Sequence, residues 1–117
     1  MKLGTAQEEF TVCTAQLINF AVSIGVQLTY GDAYRSKSAH GEFGEKKGYS
    51  SANSVHKLRL AVDFNVRIDG EYIEDGEHWA YKMLGDEWKK MHKLARWGGD
   101  FKSKDSNHFG FEFYGCM

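Results

Sequence analysis

The segment from Arg59 to Ile68 limits how this chain can fold more than any other. Apolar side chains occupy every second position, at Leu60, Val62, Phe64, Val66 and Ile68. The positions between them hold Arg59, Ala61, Asp63, Asn65 and Arg67. A period of two places the two sets on opposite faces of a β-strand. The segment therefore predicts a strand with one face on a core and one polar face that carries a carboxylate.

A second alternating segment runs from His108 to Tyr114. Its aromatic positions are Phe109, Phe111 and Phe113, and His108, Gly110 and Glu112 lie between them. If the two strands pair, an imidazole and the Asp63 carboxylate converge over the same sheet face. Ala61 and Gly110 are small, so they leave room beside these groups.

Two helices and one further strand are predicted from the rest of the chain. Thr5 and Glu8 have the spacing of a capping box, which predicts a helix from Ala6. Its apolar stripe is Phe10, Cys13, Leu17, Phe20 and Ile24. A second helix is predicted from about Gly76 to Leu94, with Gly85 as a weak point. Its stripe is Ala80, Leu84, Trp88, Met91 and Ala95. Val26 to Arg35 reads as a short strand interrupted near Gly31-Asp32.

Length and charge exclude several classes of protein. The 117 residues predict a single domain spanning 1–117, and the net charge of −1 argues against nucleic acid as a partner. Cys13 and Cys116 lie far apart and imply no disulfide framework. Glu8 and Glu9 stand where an export signal would carry positive charge, and polar residues interrupt the apolar stretch that follows. We therefore expect a soluble first helix, with neither an export signal nor membrane insertion.

The segment from Ser36 to Asn53 is rich in Gly, Ser, Lys and Glu and has little periodicity. Long loops of this kind in a small domain are commonly functional or mobile. We expect this loop to flank a substrate cleft and to be mobile without a ligand.

His56, Asp63 and His108 are candidate ligands for one divalent metal. His56 lies seven residues before Asp63, so it reaches the same face only from a loop or bulge before the strand. The alternatives are a surface or capping role for His56, and an ion pair of Asp63 with Arg59 or Arg67. The remaining histidines, His40, His78 and His92, have no comparable partner, and we expect the last two to be solvated.

Asp105 lies three residues before His108, close enough to reach the same site from a loop. A catalytic base at a metal site is one interpretation, since a hydrolase needs a group that takes a proton from water. A turn-capping aspartate is the other, because Lys104-Asp-Ser-Asn is typical of a turn. Spacing alone leaves both open.

The assembled residues resemble the zinc peptidases that cut peptidoglycan stem peptides, the D-alanyl-D-alanine carboxypeptidases and phage L-alanyl-D-glutamate endopeptidases. That family carries Ser-x-His-x-x-Gly-x-Ala-x-Asp, which Ser54, His56, Ala61 and Asp63 match, with Arg59 in place of the glycine. It later has an acid ahead of a His followed by an aromatic residue, similar to Asp105, His108 and Phe109. Trp97-Gly-Gly and Tyr34-Arg35-Ser36 also resemble family segments. The resemblance covers about Tyr34 to Phe113.

The resemblance implies an α+β fold, with the zinc site on an antiparallel sheet and helices packed on one side. It implies that His56, Asp63 and His108 hold zinc and that Asp105 is the catalytic base. Arg35 would stabilise the oxyanion or bind a substrate carboxylate, with Ser54 beside it in substrate binding. Carboxypeptidases of this family often have glutamate at the position of Asp105. The aspartate in this chain therefore favours the endopeptidase branch.

The expected function is therefore hydrolysis of the L-alanyl-D-glutamate bond of the peptidoglycan stem. The family context suggests a monomeric phage or prophage endolysin, made in the cytoplasm and acting at the cell wall during host lysis. The alternatives are a D-alanyl-D-alanine carboxypeptidase and a non-catalytic, zinc-bearing module that binds the cell wall. Retention of Asp105 and Arg35 argues against the binding module, which has no need of a base.

Overall fold

Strand β2 (Ala61–Ile68) runs through the middle of an antiparallel sheet in the computed structural model, which describes residues 1–117. Its first half pairs with β5 (His108–Phe111). Its second half lies between β1 (Gln27–Tyr30) and β3 (Glu71–Ile73). β4 (Ala95–Trp97) completes the sheet beyond β5. The two alternating segments of the sequence thus become neighbouring strands.

The register of β2 and β5 places the polar residues of the two strands side by side. Asp63 lies opposite His108, and Ala61 lies opposite Gly110. On the other edge of β2, the main chain of Asp63 bonds to the residues that follow β1: its N–H donates to Asp32 O at 2.7 Å, and its carbonyl accepts from Gly31 N at 2.8 Å. Both main-chain hydrogen bonds of Asp63 thus go to this edge, and the next residue, Phe64, donates to Asn107 O on the side of β5 at 2.9 Å.

Helices α1 (Leu3–Ser23) and α3 (Trp79–Met91) pack on the opposite face of the sheet. The Phe10 ring of α1 lies 5.7 Å from the Trp88 ring of α3 and 5.3 Å from that of Phe111. The Trp88 indole donates to the carbonyls of Arg96 and Gly110 at 3.0 and 3.1 Å, which ties α3 to β4 and β5. Sheet and helices together form the predicted α+β fold.

The helix stripes were predicted largely correctly, but the helix ends were not. Phe10, Cys13, Leu17, Ala80, Leu84 and Trp88 are all buried. However, α1 begins at Leu3 without a side-chain cap, so the capping box predicted at Thr5 and Glu8 is wrong. α3 is shorter than predicted, because the chain leaves the helix at His92 and enters β4. β3 and β4 have three residues each, too short to show periodicity.

The expectation that His92 is solvated is also wrong. Its side chain is only 13% exposed, its Nε2 lies 2.7 Å from Glu9 Oε1, and its ring stacks on Phe111. His92 therefore links the end of α3 to α1. His78 is only partly exposed and caps the start of α3, with Nδ1 accepting from Ala80 N at 3.1 Å.

A long connection follows β1 and contains the one-turn helix α2 (Lys37–His40). It ends in a 3₁₀ turn at Val55–Leu58 that leads into β2. A second 3₁₀ turn, Gly98–Asp100, connects β4 to the segment before β5. None of the helices combines the length and apolarity needed to cross a bilayer.

Candidate active site

The 3₁₀ turn at Val55–Leu58 brings His56 to the polar face of the sheet. Ser54 precedes the turn, and its hydroxyl accepts from His56 N at 3.3 Å. Arg59 ends the turn in the left-handed region, with φ 57° and ψ 36°. That conformation turns the chain into β2, which explains how His56 reaches the same face as Asp63 despite their odd separation.

The left-handed backbone at Arg59 also explains why the similar motif has glycine there. Glycine adopts positive φ without the steric cost that a Cβ brings. In this chain the Arg59 guanidinium lies over the Tyr34 ring, 3.9 Å from its centroid. A cation–π contact of this kind is worth about 0.5–1 kcal/mol at an exposed site, enough to offset much of the strain. The contact with Tyr34 thus compensates locally for the strain at Arg59, and the path of the chain stays the same as with glycine.

His56, Asp63 and His108 converge on one point. Each offers a ligand atom, and these atoms lie within 4.8 Å of one another. His56 Nε2 is 3.2 Å from Asp63 Oδ1, and His108 Nδ1 is 3.6 Å from the same oxygen. The alternative ion pairs of Asp63 do not form, because Arg59 stacks on Tyr34 and Arg67 donates to Gly70 O at 2.7 Å.

Main-chain oxygens orient both imidazoles. His56 Nδ1 lies 2.8 Å from Ala33 O, and His108 Nε2 lies 3.0 Å from Met117 O. A nitrogen that faces a main-chain oxygen carries the proton, so the other nitrogen presents its lone pair. In both rings that second nitrogen faces Asp63. The two histidines are therefore held in the tautomers that a metal ligand requires.

The three side chains fit a divalent cation. Two of the inward-facing atoms, His56 Nε2 and Asp63 Oδ1, are buried and make no hydrogen bond although they are 3.2 Å apart. Leaving buried polar atoms unpaired costs about 1–3 kcal/mol each. A cation between them removes that cost. Two imidazoles and one carboxylate are also a common protein ligand set of catalytic zinc, which keeps a further position open.

The electrostatics of the cluster keep Asp63 ionised. Burial by itself would raise the pKa of this carboxyl, but His108 and His56 in their protonated form donate hydrogen bonds to it and attract it, which outweighs burial and lowers the pKa to about 2. Asp63 thus remains a carboxylate throughout the neutral and mildly acidic range. An ionised carboxylate is the form that binds a metal.

Asp105 lies at the rim of the same cleft, outside the group of close ligand atoms. Its main chain is fixed at both ends: Asp105 N donates to Gly98 O at 2.9 Å, and Asp105 O accepts from His108 N at 3.0 Å. Its exposed carboxylate makes no hydrogen bond or ion pair with the protein. The side chain is therefore free to exchange a proton with water or substrate.

The Trp97-Gly98-Gly99 segment makes this placement of Asp105 sterically feasible. A Cβ at Gly98 would lie 2.1 Å from Asp105 O and 2.8 Å from His108 Cβ. A Cβ at Gly99 would lie 2.3 Å from the Trp97 ring. The Trp97 indole donates to Ser106 O at 2.7 Å and so anchors the far end of the loop. The two glycines thus allow Asp105 to approach the strand that carries His108.

Arg35 also lines the cleft and is held in a defined orientation. Its Nη1 donates to Ser50 Oγ and Ser54 Oγ, both at 3.2 Å, and its Nε lies 3.3 Å from Asp32 Oδ2. Tyr49 donates to the same Asp32 oxygen, and this hydrogen bond is the main reason that the pKa of Tyr49 is raised. Nη2 has no protein partner and is available to a substrate.

The cleft has a volume of about 380 Å³, and Arg35, Ser54, His56, Asp105 and His108 all line it. A slightly larger cavity of about 410 Å³ lies between α1 and the start of β2, but it is mostly apolar and has no cluster of ionisable groups. The smaller cleft is therefore the candidate active site. Sequence reasoning missed the supports Ser50 and Asp32, and only the turn at Gly31-Asp32 gave a signal for either.

Residues 47–111, more than half of the chain, match the model of a family described as D-alanyl-D-alanine carboxypeptidase. The chain belongs to this family. It is accordingly a metallopeptidase, and its family acts on peptidoglycan. The matched range includes the His56, Asp63 and His108 cluster as well as Asp105, whereas Arg35 lies before it.

The fold is similar to that in the crystal structure of Serratia marcescens L-Ala D-Glu endopeptidase ChiX. The TM-score is 0.63 at 23% sequence identity, and the match covers 85% of this chain and 77% of that one. Among curated proteins, none matches the chain.

Proposed function

We propose that this protein is a zinc peptidase that hydrolyses the L-alanyl-D-glutamate bond of the peptidoglycan stem peptide. The observation that carries the proposal is the convergence of His56, Asp63 and His108 in a cleft that Asp105 and Arg35 also line. This arrangement supplies a metal site, a free carboxylate and a cationic donor within one pocket. A module that only binds the cell wall has no use for the carboxylate.

The residues take distinct roles in this reaction. His56, Asp63 and His108 would hold zinc, which would supply Lewis acidity and lower the pKa of a bound water toward about 7. The Asp105 carboxylate takes a proton from the attacking water and later gives it to the leaving amine. Arg35 Nη2 donates to the oxyanion or to a substrate carboxylate, which a planar guanidinium binds well. Ser54 fixes Arg35 and the start of the His56 turn.

The choice of bond rests on two supports. The solved structure with a similar fold is described as an L-Ala D-Glu endopeptidase. The base is an aspartate, which favours the endopeptidase branch of the resemblance. The description of the matching family favours the second candidate, a D-alanyl-D-alanine carboxypeptidase. We further propose that the protein acts as a monomer in phage or prophage lysis, made in the cytoplasm and acting at the host cell wall.

Mass spectrometry of purified peptidoglycan digested by the protein distinguishes these functions. Release of stem peptides that begin with D-glutamate identifies the endopeptidase. Loss of one terminal alanine from intact stems identifies the carboxypeptidase. Cleavage should stop with a chelator and return with added Zn²⁺. Binding to peptidoglycan without any new product would identify the non-catalytic module and refute the proposal.

A further inference from the structure

Lys57 is buried beside the candidate active site, yet no step of the proposed reaction uses it. The residue is only 7% exposed. Its ammonium group donates to three main-chain oxygens: Glu42 O at 3.2 Å, Ala52 O at 3.4 Å and Glu45 O at a short distance. No carboxylate lies within ion-pair distance of it. An ammonium has three donors, so all of its hydrogen-bonding capacity is directed at this one segment of backbone.

The three oxygens belong to the segment 41–53, which we call the cleft loop. Lys57 contacts its second, fifth and twelfth residues. A main-chain bond from Gly44 N to Ala52 O, at 2.7 Å, closes the loop on itself. Lys57 therefore links the two ends of a loop that its own main chain also closes.

The cleft loop carries residues that reach the active site. Ser50 is fully buried, and its hydroxyl accepts from Arg35 Nη1. Ser51 and Asn53 line the cleft. The position of Arg35 thus depends partly on the loop. Because Lys57 follows His56 in the same 3₁₀ turn, the clamp also ties the loop to a proposed metal ligand.

We propose that Lys57 is a positioning residue that keeps the cleft loop preformed, so that Arg35 is aimed at the substrate before binding. The inference rests on the proposed function for the identity of the substrate. It differs from the expectation of a mobile loop, because it predicts that the loop forms a fixed wall of the cleft before the substrate binds. Its physical basis is that one ammonium joins main-chain oxygens from both ends of the loop to the turn that carries His56. Glu42 O and Ala52 O also accept from Glu45 N and Gly44 N, so loss of the ammonium leaves Glu45 O without a protein donor and removes the link between the loop and the turn.

The test compares Lys57→Met, which keeps the length of the side chain, with Lys90→Met, an exposed control on α3 that makes no side-chain hydrogen bond or ion pair. Lys46 and Lys47 are exposed in the cleft loop and offer trypsin sites. Cleavage there reports how often the loop opens. We expect Lys57→Met to be cut on the order of tenfold faster than the control, with KM raised more than kcat is lowered. Zinc content should be unchanged, because His56 keeps its own contacts with Ser54 Oγ and Ala33 O, which lie outside the loop.

Equal cleavage rates and equal KM values in the two variants would overturn the proposal. Loss of zinc from Lys57→Met with an intact loop would also overturn it, since Lys57 would then support His56 instead. If Lys57→Met does not fold, amide exchange in the parent protein decides: protection of Gly44 N–H supports the clamp, and exchange as fast as in an open chain refutes it. The proteolysis, exchange and zinc measurements need no peptidoglycan. They therefore remain informative even if the proposed substrate is wrong.

Discussion

Substitutions of single residues in this site should affect different properties, either metal binding or catalysis. His56, Asp63 and His108 present atoms to one another, and two of these buried atoms have no hydrogen bond. Asp105 and Arg35 line the same cleft outside this cluster. In the proposed function the first set holds the metal and the second acts on the substrate. Substitutions in the second set should therefore separate catalysis from metal binding.

Asp105→Asn is the sharpest of these substitutions. The amide keeps the size of the side chain but cannot accept a proton from water. Zinc should remain, and hydrolysis of stem peptides should fall by on the order of 10²–10⁴. Metal analysis together with turnover on muropeptides measures both. Loss of zinc would make Asp105 a ligand, and turnover at the parent rate would place the base elsewhere.

Arg35→Lys should also keep zinc while lowering turnover by at least about tenfold. A lysine cannot donate to Ser50 and Ser54 and still present a second nitrogen to the substrate. Arg67→Lys is a matched control, because Arg67 is exposed and donates only to Gly70 O. Steady-state kinetics on the same substrate provide the comparison. Turnover within a factor of about two of the parent would reduce Arg35 to a structural role.

At the scale of elements, the contact between α3 and β4 sets the position of the loop that carries Asp105. Gly85 reads as a weak point of the helix, but the Trp97 ring packs directly against it. A Cβ at Gly85 would lie 2.1 Å from that ring. The glycine is therefore a packing requirement, and it overrides the helix propensity that favours alanine.

Gly85→Ala should destabilise the protein by about 1–3 kcal/mol, because the displaced Trp97 cannot keep its place between α3 and Gly99. Gly4→Ala is the control: no atom lies within 4 Å of a Cβ at this position of α1. That change should be neutral or stabilise the fold by up to about 1 kcal/mol. Denaturant unfolding measures both, and equal effects of the two substitutions would contradict the packing argument.

At the scale of the whole molecule, the proposed metal joins parts of the chain that are distant in sequence. Its ligands come from the 3₁₀ turn, from β2 and from β5. An ion that binds only the folded chain adds its binding free energy to stability. The metal should therefore act as a cross-link of the sheet as well as a cofactor.

Removing zinc with a chelator should lower Tm by on the order of 10 °C, which corresponds to about 2.7 kcal/mol at a hundredfold excess of metal over Kd. Calorimetry with and without the chelator measures the shift. The His56→Ala variant should show little response, because it lacks a ligand. An unchanged Tm in the parent protein would mean that no metal is bound tightly.

The sequence alone determined the two alternating strands and the faces that their residues occupy. Because side chains alternate along a strand, Asp63, His108, Ala61 and Gly110 could be assigned to a polar face before their pairing was known. The same logic identified the buried stripes of both helices. These features are local, and a local period leaves a direct trace in the order of residue types.

The tertiary structure decided what depends on contacts between distant segments. β3 and β4 form because neighbouring strands offer hydrogen-bonding partners, although three residues carry no period of their own. The clamp by Lys57 and the orientation of His56 and His108 use main-chain oxygens, which every residue has. Such partners leave no signature in residue type. Only the folded chain shows which oxygen meets which side chain, because their positions are set by packing across the whole domain.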